Sequence, residues 1–397
     1  MRIRTIASTL AASLLAAAAH AQTVGVTDDT IKIGHTNPYS GPASSYGVIG
    51  KTHIAYMAML NRQGGINGRK IDFISLDDGY SPPRTVEQVR KLVEQEEVAF
   101  LFQPLGTPTN SAIHRYMNAK KVPHLFLSTG ASKWGQPEKF PWTMGYQPTY
   151  DVEGEIYANY ALETVEDPKI AILFQNDDYG KDYRDGFLRG LGDKADELVV
   201  KMLPYEVTDP TVDAQILELA ASGANVFFNV TIPKFAAQAI KKTCEIGWKP
   251  LHLLNNVSSS VSATLKPAGL DCSKDVITAQ YMKDPTDPQW KGDPGYQEWL
   301  TFMQEEMPGA DVGDVNYAFA YNVSSLLHMM LEDCEDLSRP GIMACAANLK
   351  DIELPMLLPG IKVNTSPTDF YPIQAEQLSR FDGEKWVLFG DVIDASK

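Results

Sequence analysis

The sequence predicts an α/β protein of two halves, each built around a parallel sheet. Three observations predict it. Short apolar runs alternate with segments of helical periodicity, the pattern of strand–helix–strand units joined by right-handed crossovers. The 397 residues are enough for two domains that each bury a core. The rhythm stops at residues 141–148, where aromatics, Gly145 and two prolines replace any period, so the first boundary falls there.

The elements follow in order. Residues 30–34 form a strand pattern through Ile31 and Ile33 and end in the polar turn 37–42. Residues 49–61 carry Ile54, Met57 and Ala58 at helical spacing and stop at Gly64-Gly65, the glycine signal of a helix end. Strand 70–76, helix 84–94, strand 98–102, helix 112–119 and strand 124–128 complete the first half. The second half repeats the scheme with helix 152–164, strand 170–175, helix 183–191, strand 199–205, helix 211–221 and strand 226–230. An irregular stretch, 283–294, precedes long helices over 295–306 and 315–332. The tail turns to strands at 372–374, 378–381 and 386–390, the last two joined through Asp382-Gly383, a strong hairpin signal.

Composition narrows the function. With 35 Lys+Arg against 50 Asp+Glu the formal charge is −15, and no stretch gathers basic residues, so phosphate backbones and anionic lipid surfaces are repelled. Arg2 and Arg4, the apolar run 6–18 and Ala19-His20-Ala21 read as a secretory signal cleaved after Ala21. The run is too short to cross a bilayer, so no stable membrane insertion is expected. Export makes the four cysteines candidates for pairing. Of three possible connectivities, proximity favours Cys334 with Cys345 and Cys244 with Cys272. None has a Cys or His neighbour at metal-ligand spacing, so no metal is expected.

Catalytic signatures are missing. The seven histidines are scattered singly, and neither His-Glu-x-x-His nor Gly-x-Ser-x-Gly occurs. Residues 45–52 resemble a phosphate-binding loop, but Ser45 stands where the first glycine is required. Asp77-Asp78 and Asp177-Asp178 follow strands; adjacent extended residues point apart, which favours turn capping over paired acid/base work. No enzyme and no cofactor is expected. The competing catalytic reading is a secreted hydrolase with a dispersed site of Asp77, Asp178 and His35.

The run Ile33-Gly34, Ser40-Gly41-Pro42, Tyr46-Gly47, residues 61–70 and Asp77-Asp78, with Ser128-Thr129-Gly130-Ala131-Ser132 and Asp178-Tyr179-Gly180 later, spans nearly all of the exported chain. In that order these residues resemble the branched-chain amino acid type of periplasmic substrate-binding protein of ABC transporters. The resemblance implies a type I fold, two Rossmann-like lobes joined by three hinge crossovers. It divides the chain into an N-terminal lobe, 22–145 plus 283–357, and a C-terminal lobe, 146–282 plus 358–397. It also implies a periplasmic monomer that closes on one small ligand and presents it to an ABC permease, with no nucleic acid partner. A sensor of the same fold is a third class.

Carried over by motif, Tyr46 is the aromatic of the N-terminal loop. Gly106 and Thr107, then Gly130 and Ser132, form a ligand carboxylate site. Amide-rich turns at the positive end of a helix suit that charge. In the second lobe Asn256 stands where amino-acid binders of the family place an acid for the ligand ammonium, and Thr231 stands where an aromatic is frequent. An uncharged Asn256 cannot balance a buried ammonium. The segment 254–258, with 265–269 and 283–288, resembles the branch that binds aromatic acids such as hydroxybenzoates and hydroxycinnamates. Tyr39, Tyr46, Phe102, Trp134, Tyr146 and Tyr150 supply rings near the cleft. The expected ligand is therefore an aromatic carboxylate walled by Tyr46, Tyr150 and Trp134, the alternative being a branched-chain or other amino acid or an amide.

Overall fold

A computed structural model describes residues 23–395, so the signal segment and its cleavage point after Ala21 lie outside the described residues. The first sheet has the order β2-β1-β3-β4, all parallel, from β1 (Thr30–Asn37), β2 (Lys70–Asp77), β3 (Phe100–Phe102) and β4 (His124–Leu125). Its helices are α1 (Gly47–Gln63), α2 (Pro82–Arg90) and α3 (Thr107–Lys120).

The chain then crosses into α4 (Tyr150–Thr164), β5 (Ile170–Gln175), α5 (Asp178–Leu191), the short α6 (Ala195–Leu198) and β6 (Val199–Tyr205). It continues through α7 (Asp213–Ala221), β7 (Val226–Val230), α8 (Pro233–Glu245), β8 (Leu251–Leu254), the short α9 (Lys266–Ala268) and α10 (Leu270–Ser273), and β9 (Ile277–Gln280). Next come α11 (Pro294–Glu306), α12 (Val315–Asp333), α13 (Arg339–Ala346), and β10 (Ala375–Phe381), β11 (Trp386–Leu388) and β12 (Ile393–Asp394). The second sheet runs β11-β10-β9-β8-β7-β5-β6; β5 to β9 are parallel, and β10 pairs antiparallel with β9, β11 and β12. The alternation of elements thus builds two parallel-sheet lobes, and the Asp382-Gly383 hairpin forms with Phe381 opposite Trp386.

Several elements depart from the sequence reading for local reasons. Helix α3 starts at Thr107 and not at 112, because Thr109, Asn110 and Ser111 turn their side chains back onto the carbonyls of residues 104–107. Helix α5 starts at Asp178 and not at 183, since Asp177 caps it by accepting from the Tyr179 and Gly180 amides at 3.0 and 3.2 Å. Strand β4 stops after Leu125 where Phe126 turns left-handed, φ 52°. Residues 372–374 are not a strand, and β10 begins only at Ala375. The Ser338-Arg339-Pro340-Gly341 turn opens α13, with Ser338 as its cap.

Helix α12 returns to the first lobe. Tyr56 of α1 meets Phe302 and Tyr321 with ring centroids 5.7 and 5.5 Å apart, and His53 Nδ1 lies 2.8 Å from Ser324 Oγ. Two crossings run side by side at the hinge, the Lys283 amide donating to Met356 O at 2.9 Å and the Leu358 amide to Tyr281 O at 3.0 Å. Among the described residues no helix is long and apolar enough to cross a membrane.

Both favoured cysteine pairs are bonded: Cys244 near the end of α8 to Cys272 of α10, and Cys334 after α12 to Cys345 of α13. The second ring closes a sequence separation of 11 residues, so Cys334→Ala with Cys345→Ala is expected to lower stability by roughly 3 kcal/mol on the loop-entropy argument, read by urea unfolding.

Candidate functional site

The carboxyl ends of the first-lobe strands turn sharply toward the gap between the lobes. Left-handed backbone does this at Tyr80 after β2 (φ 59°), Gln103 and Gly106 after β3 (φ 56° and 102°) and Phe126 after β4. At Tyr80 the cost is offset locally, since Asp78 Oδ1 accepts the Tyr80 amide at 2.9 Å. At Gly106 a side chain is excluded, because a Cβ would stand 2.5 Å from the Tyr80 ring. The loops so aimed enclose a cavity of about 60 Å³ with the facing loops of the second lobe. Strand ends of open α/β sheets are where ligands bind.

Five tyrosines, Tyr46, Tyr80, Tyr150, Tyr179 and Tyr281, line this cavity with Phe319. Tyr150 stacks on Tyr183 at 4.4 Å and meets Tyr179 edge-on at 5.4 Å. Burial pushes the hydroxyls of Tyr46, Tyr80 and Tyr179 well above their usual range, so they are neutral donors. The polar lining comes from Thr107, Ser128, Gln147, Asn256 and Asn316. Among the described residues that line the cavity, none carries a charge. Thr107 opens α3, whose N-terminus has no side-chain cap, and its hydroxyl lies 2.6 Å from that of Thr129.

Of the residues singled out from the sequence, Tyr46, Gly106, Thr107, Tyr150 and Asn256 come together here. The others do not. Gly130 gives its carbonyl to the Tyr150 amide at 2.8 Å, and a Cβ on it would sit 2.3 Å from Pro148 O, so its need is close packing. Ser132 is turned away, its amide and hydroxyl held by Asp182 at 2.8 and 2.7 Å. Trp134 is buried, its indole N–H on Thr129 Oγ1 at 3.3 Å and its ring edge-on to His114. Thr231 bonds Asn255 and Asn229. Tyr39, Phe102 and Tyr146 also lie outside the lining. Tyr80, Tyr179, Tyr281 and Phe319 were not singled out as site residues. Tyr80 had a usable signal, a Gly-Tyr pair directly after the Asp77-Asp78 strand end.

The paired acids act locally. Asp77 accepts from the Tyr39, Ser40 and Gly79 amides and the Ser40 hydroxyl, while Asp78 takes the Thr85 hydroxyl at 2.8 Å. Asp178 bonds Lys133 Nζ at 2.5 Å, and His35, with Nδ1 2.9 Å from Phe102 O, is pushed down to about 4 by burial. Asp77, Asp178 and His35 share no hydrogen-bond partner among these contacts. Among the described residues no group of three or more His, Cys, Asp or Glu is placed to hold a metal.

Bonds also cross the gap. Tyr46 donates to Val257 O at 2.9 Å, Ser260 to Asp314 Oδ1 at 2.8 Å, and Ser111 with Lys133 reaches Asp178. Behind the second-lobe wall, Glu153 of α4 accepts the Asn256 amide at 2.7 Å, while Asn256 Nδ2 donates to Ala279 O at 2.5 Å.

A family model described as periplasmic binding protein matches residues 30–383. A Leu/Ile/Val-binding protein homolog of Brucella suis is 25% identical over 245 residues, 60% of this chain, and the match spans 64% of that relative's length. A branched-chain amino acid ABC transporter structure from Thermus thermophilus with bound valine superposes with a TM-score of 0.82 at 13% identity, covering 94% of this chain and 98% of that one. A solute-binding protein of R. palustris in complex with 4-hydroxybenzoate superposes with a TM-score of 0.77 at 18% identity, covering 93% and 98%. At those identities the two structures establish the type I, two-lobed fold.

Tyr46→Phe keeps the ring and removes only the bond across the gap to Val257, so it is expected to weaken closure by about 1 kcal/mol. Small-angle scattering should then give a larger radius of gyration than for the unaltered protein.

Proposed function

The chain belongs to the periplasmic binding protein family, and on that footing we propose that it captures a small aromatic carboxylate in the periplasm and delivers it to an ABC permease. The observation that carries this is the uncharged, tyrosine-walled cavity at the start of α3. A carboxylate placed at Thr107 meets the positive end of the helix and neutral hydroxyl donors. A ring gains burial and edge or face contacts from the tyrosines. An amino acid would bring an ammonium group into a lining with no acid to balance it. The R. palustris protein in complex with 4-hydroxybenzoate is a precedent for such a ligand in this fold.

A second reading, a branched-chain amino acid, is favoured by the Brucella suis relative and the valine-bound structure. The cavity's 60 Å³ is less than the roughly 150 Å³ that holds benzene in an engineered protein core, so either ligand requires the lobes to part slightly from this arrangement.

A thermal-shift series with 4-hydroxybenzoate, 4-hydroxycinnamate, leucine and valine separates the two, since a ligand of the folded state raises the melting temperature. The aromatic acids are expected to give the larger shifts; leucine or valine exceeding both overturns the proposal. Thr107→Ala should weaken the aromatic acid by about 1 to 3 kcal/mol through loss of one donor to a charged group. Asn256→Glu should weaken it as well, by calorimetric titration, whereas an amino-acid binder would gain affinity from the new acid.

A further inference from the structure

Two buried acids that the ligand reading does not use lie together at the hinge. Glu153 sits in the first turn of α4 and Glu376 in β10, each 2% exposed. Glu153 is surrounded by donors. The Asn256 amide and the Tyr157 hydroxyl reach Oε1 at 2.7 Å each, and the Tyr183 hydroxyl reaches Oε2 at 2.5 Å. For Glu376, by contrast, both carboxyl oxygens lack a hydrogen-bond partner among the described residues. The sheet brings the two together: Tyr157, which donates to Glu153, takes the Ala279 amide of β9 at 2.8 Å, and Gln377, next to Glu376, pairs with Gln280 of the same strand.

We propose that Glu153 and Glu376 form a carboxyl pair in which Glu376 stays a neutral acid, so that Glu153 can serve as the anion that positions the Asn256–Val257 wall of the cleft. Three donors fit an acceptor carrying negative charge, and a carboxyl without donors fits a neutral one. Two ionised carboxylates buried this deeply would repel each other with no cation to balance them. Burial together with the neighbouring charge raises Glu376 well above the usual range, and burial raises Glu153 to about 7 against its three donors.

The other groups around the pair leave this assignment standing. Tyr150, Tyr157, Tyr183 and Tyr281 are all raised by burial and remain protonated. Beyond them Asp151 is paired with Arg189 at 2.9 Å, and exposed Asp394 of β12 lies beside the partner of Glu376, Ile393. The anchoring reaches the cleft directly, because Asn256 and Val257 line the cavity and Val257 O receives the Tyr46 hydroxyl from the opposite lobe. Glu153 is thus a positioning residue whatever ligand the cavity takes.

The test follows thermal unfolding of the intact protein, Glu376→Gln and Glu153→Gln from about pH 5 to about pH 9, with hydrogen exchange of the Asn256 amide. A carboxyl raised in the folded state stabilises fully below its unfolded value of about 4.3, and loses that contribution as pH rises through the folded value. The unaltered protein should therefore lose melting temperature across the neutral range. Glu376→Gln, with no proton to give up, should flatten that slope and keep the Asn256 amide protected. Glu153→Gln should speed exchange at that amide by about tenfold at pH 7, through loss of a charged acceptor. A Glu376→Gln slope equal to the parent's, or an unchanged Asn256 exchange rate in Glu153→Gln, overturns the proposal. If Glu376→Gln fails to fold, infrared spectroscopy of Glu153→Gln at about pH 9 decides: a protonated carboxylic acid band there supports a neutral Glu376, and its absence overturns the proposal.

Discussion

The pairing of two chain crossings at the hinge is the constraint on which the rest of the molecule depends. Residues 281–283 and 356–358 bond through their main chains, one leaving the second sheet and the other leading back toward it. Main-chain bonds fix where the two sheets stand without demanding particular side chains, so Tyr281 and Met282 are left to face the cavity. The hinge is therefore also a wall of the site. A change in the angle between the lobes moves lining residues as well as the rims.

The site combines wet chemistry with dry surroundings. Its hydroxyls and amides are neutral, and the charges nearest it are bonded to other groups: Asp182 by Ser132, Asp314 by Ser260 and Asn316, Glu153 by tyrosines and a main-chain amide. In such a cleft the cost of leaving a ligand's charge uncompensated weighs on selection beside attraction. Aromatic walls add area and orientation without adding charge.

Much of this was legible in the sequence because it rests on period and punctuation. Alternating strands and helices, the Gly64-Gly65 stop, the Asp-Gly hairpin and the cysteine spacing are local signals, and each has its counterpart in the structure. Tyr46, Gly106 and Thr107 follow from a motif that fixes their places in a loop, Asn256 from the place where the family keeps an acid, and Tyr150 from the supply of rings near the cleft; all five line the cavity. Residues whose position depends on distant partners were not legible. Ser132 looks like a free hydroxyl in a turn until Asp182, 50 residues on, claims it. Tyr281 lies at the end of a four-residue strand too short to show a period, and Glu153 looks like an ordinary acid of a helical first turn. The start of α3 was hidden because Thr109, Asn110 and Ser111 read as turn residues until their back-bonds to the preceding carbonyls are seen.

The return of α12 to α1 has a consequence in time. His53 meets Ser324 across 271 residues, and Tyr56 finds its ring partners only on α11 and α12. A chain that emerges from its N-terminus first therefore holds the inner face of α1 open until the last third has been made. The second lobe waits as well, because β10 and β11 of its sheet come from the last residues of the chain, and Trp386 reaches back to Ser259 O at 2.9 Å. Contacts of such long sequence separation close slowly, so neither lobe completes its packing until nearly the whole chain has been made.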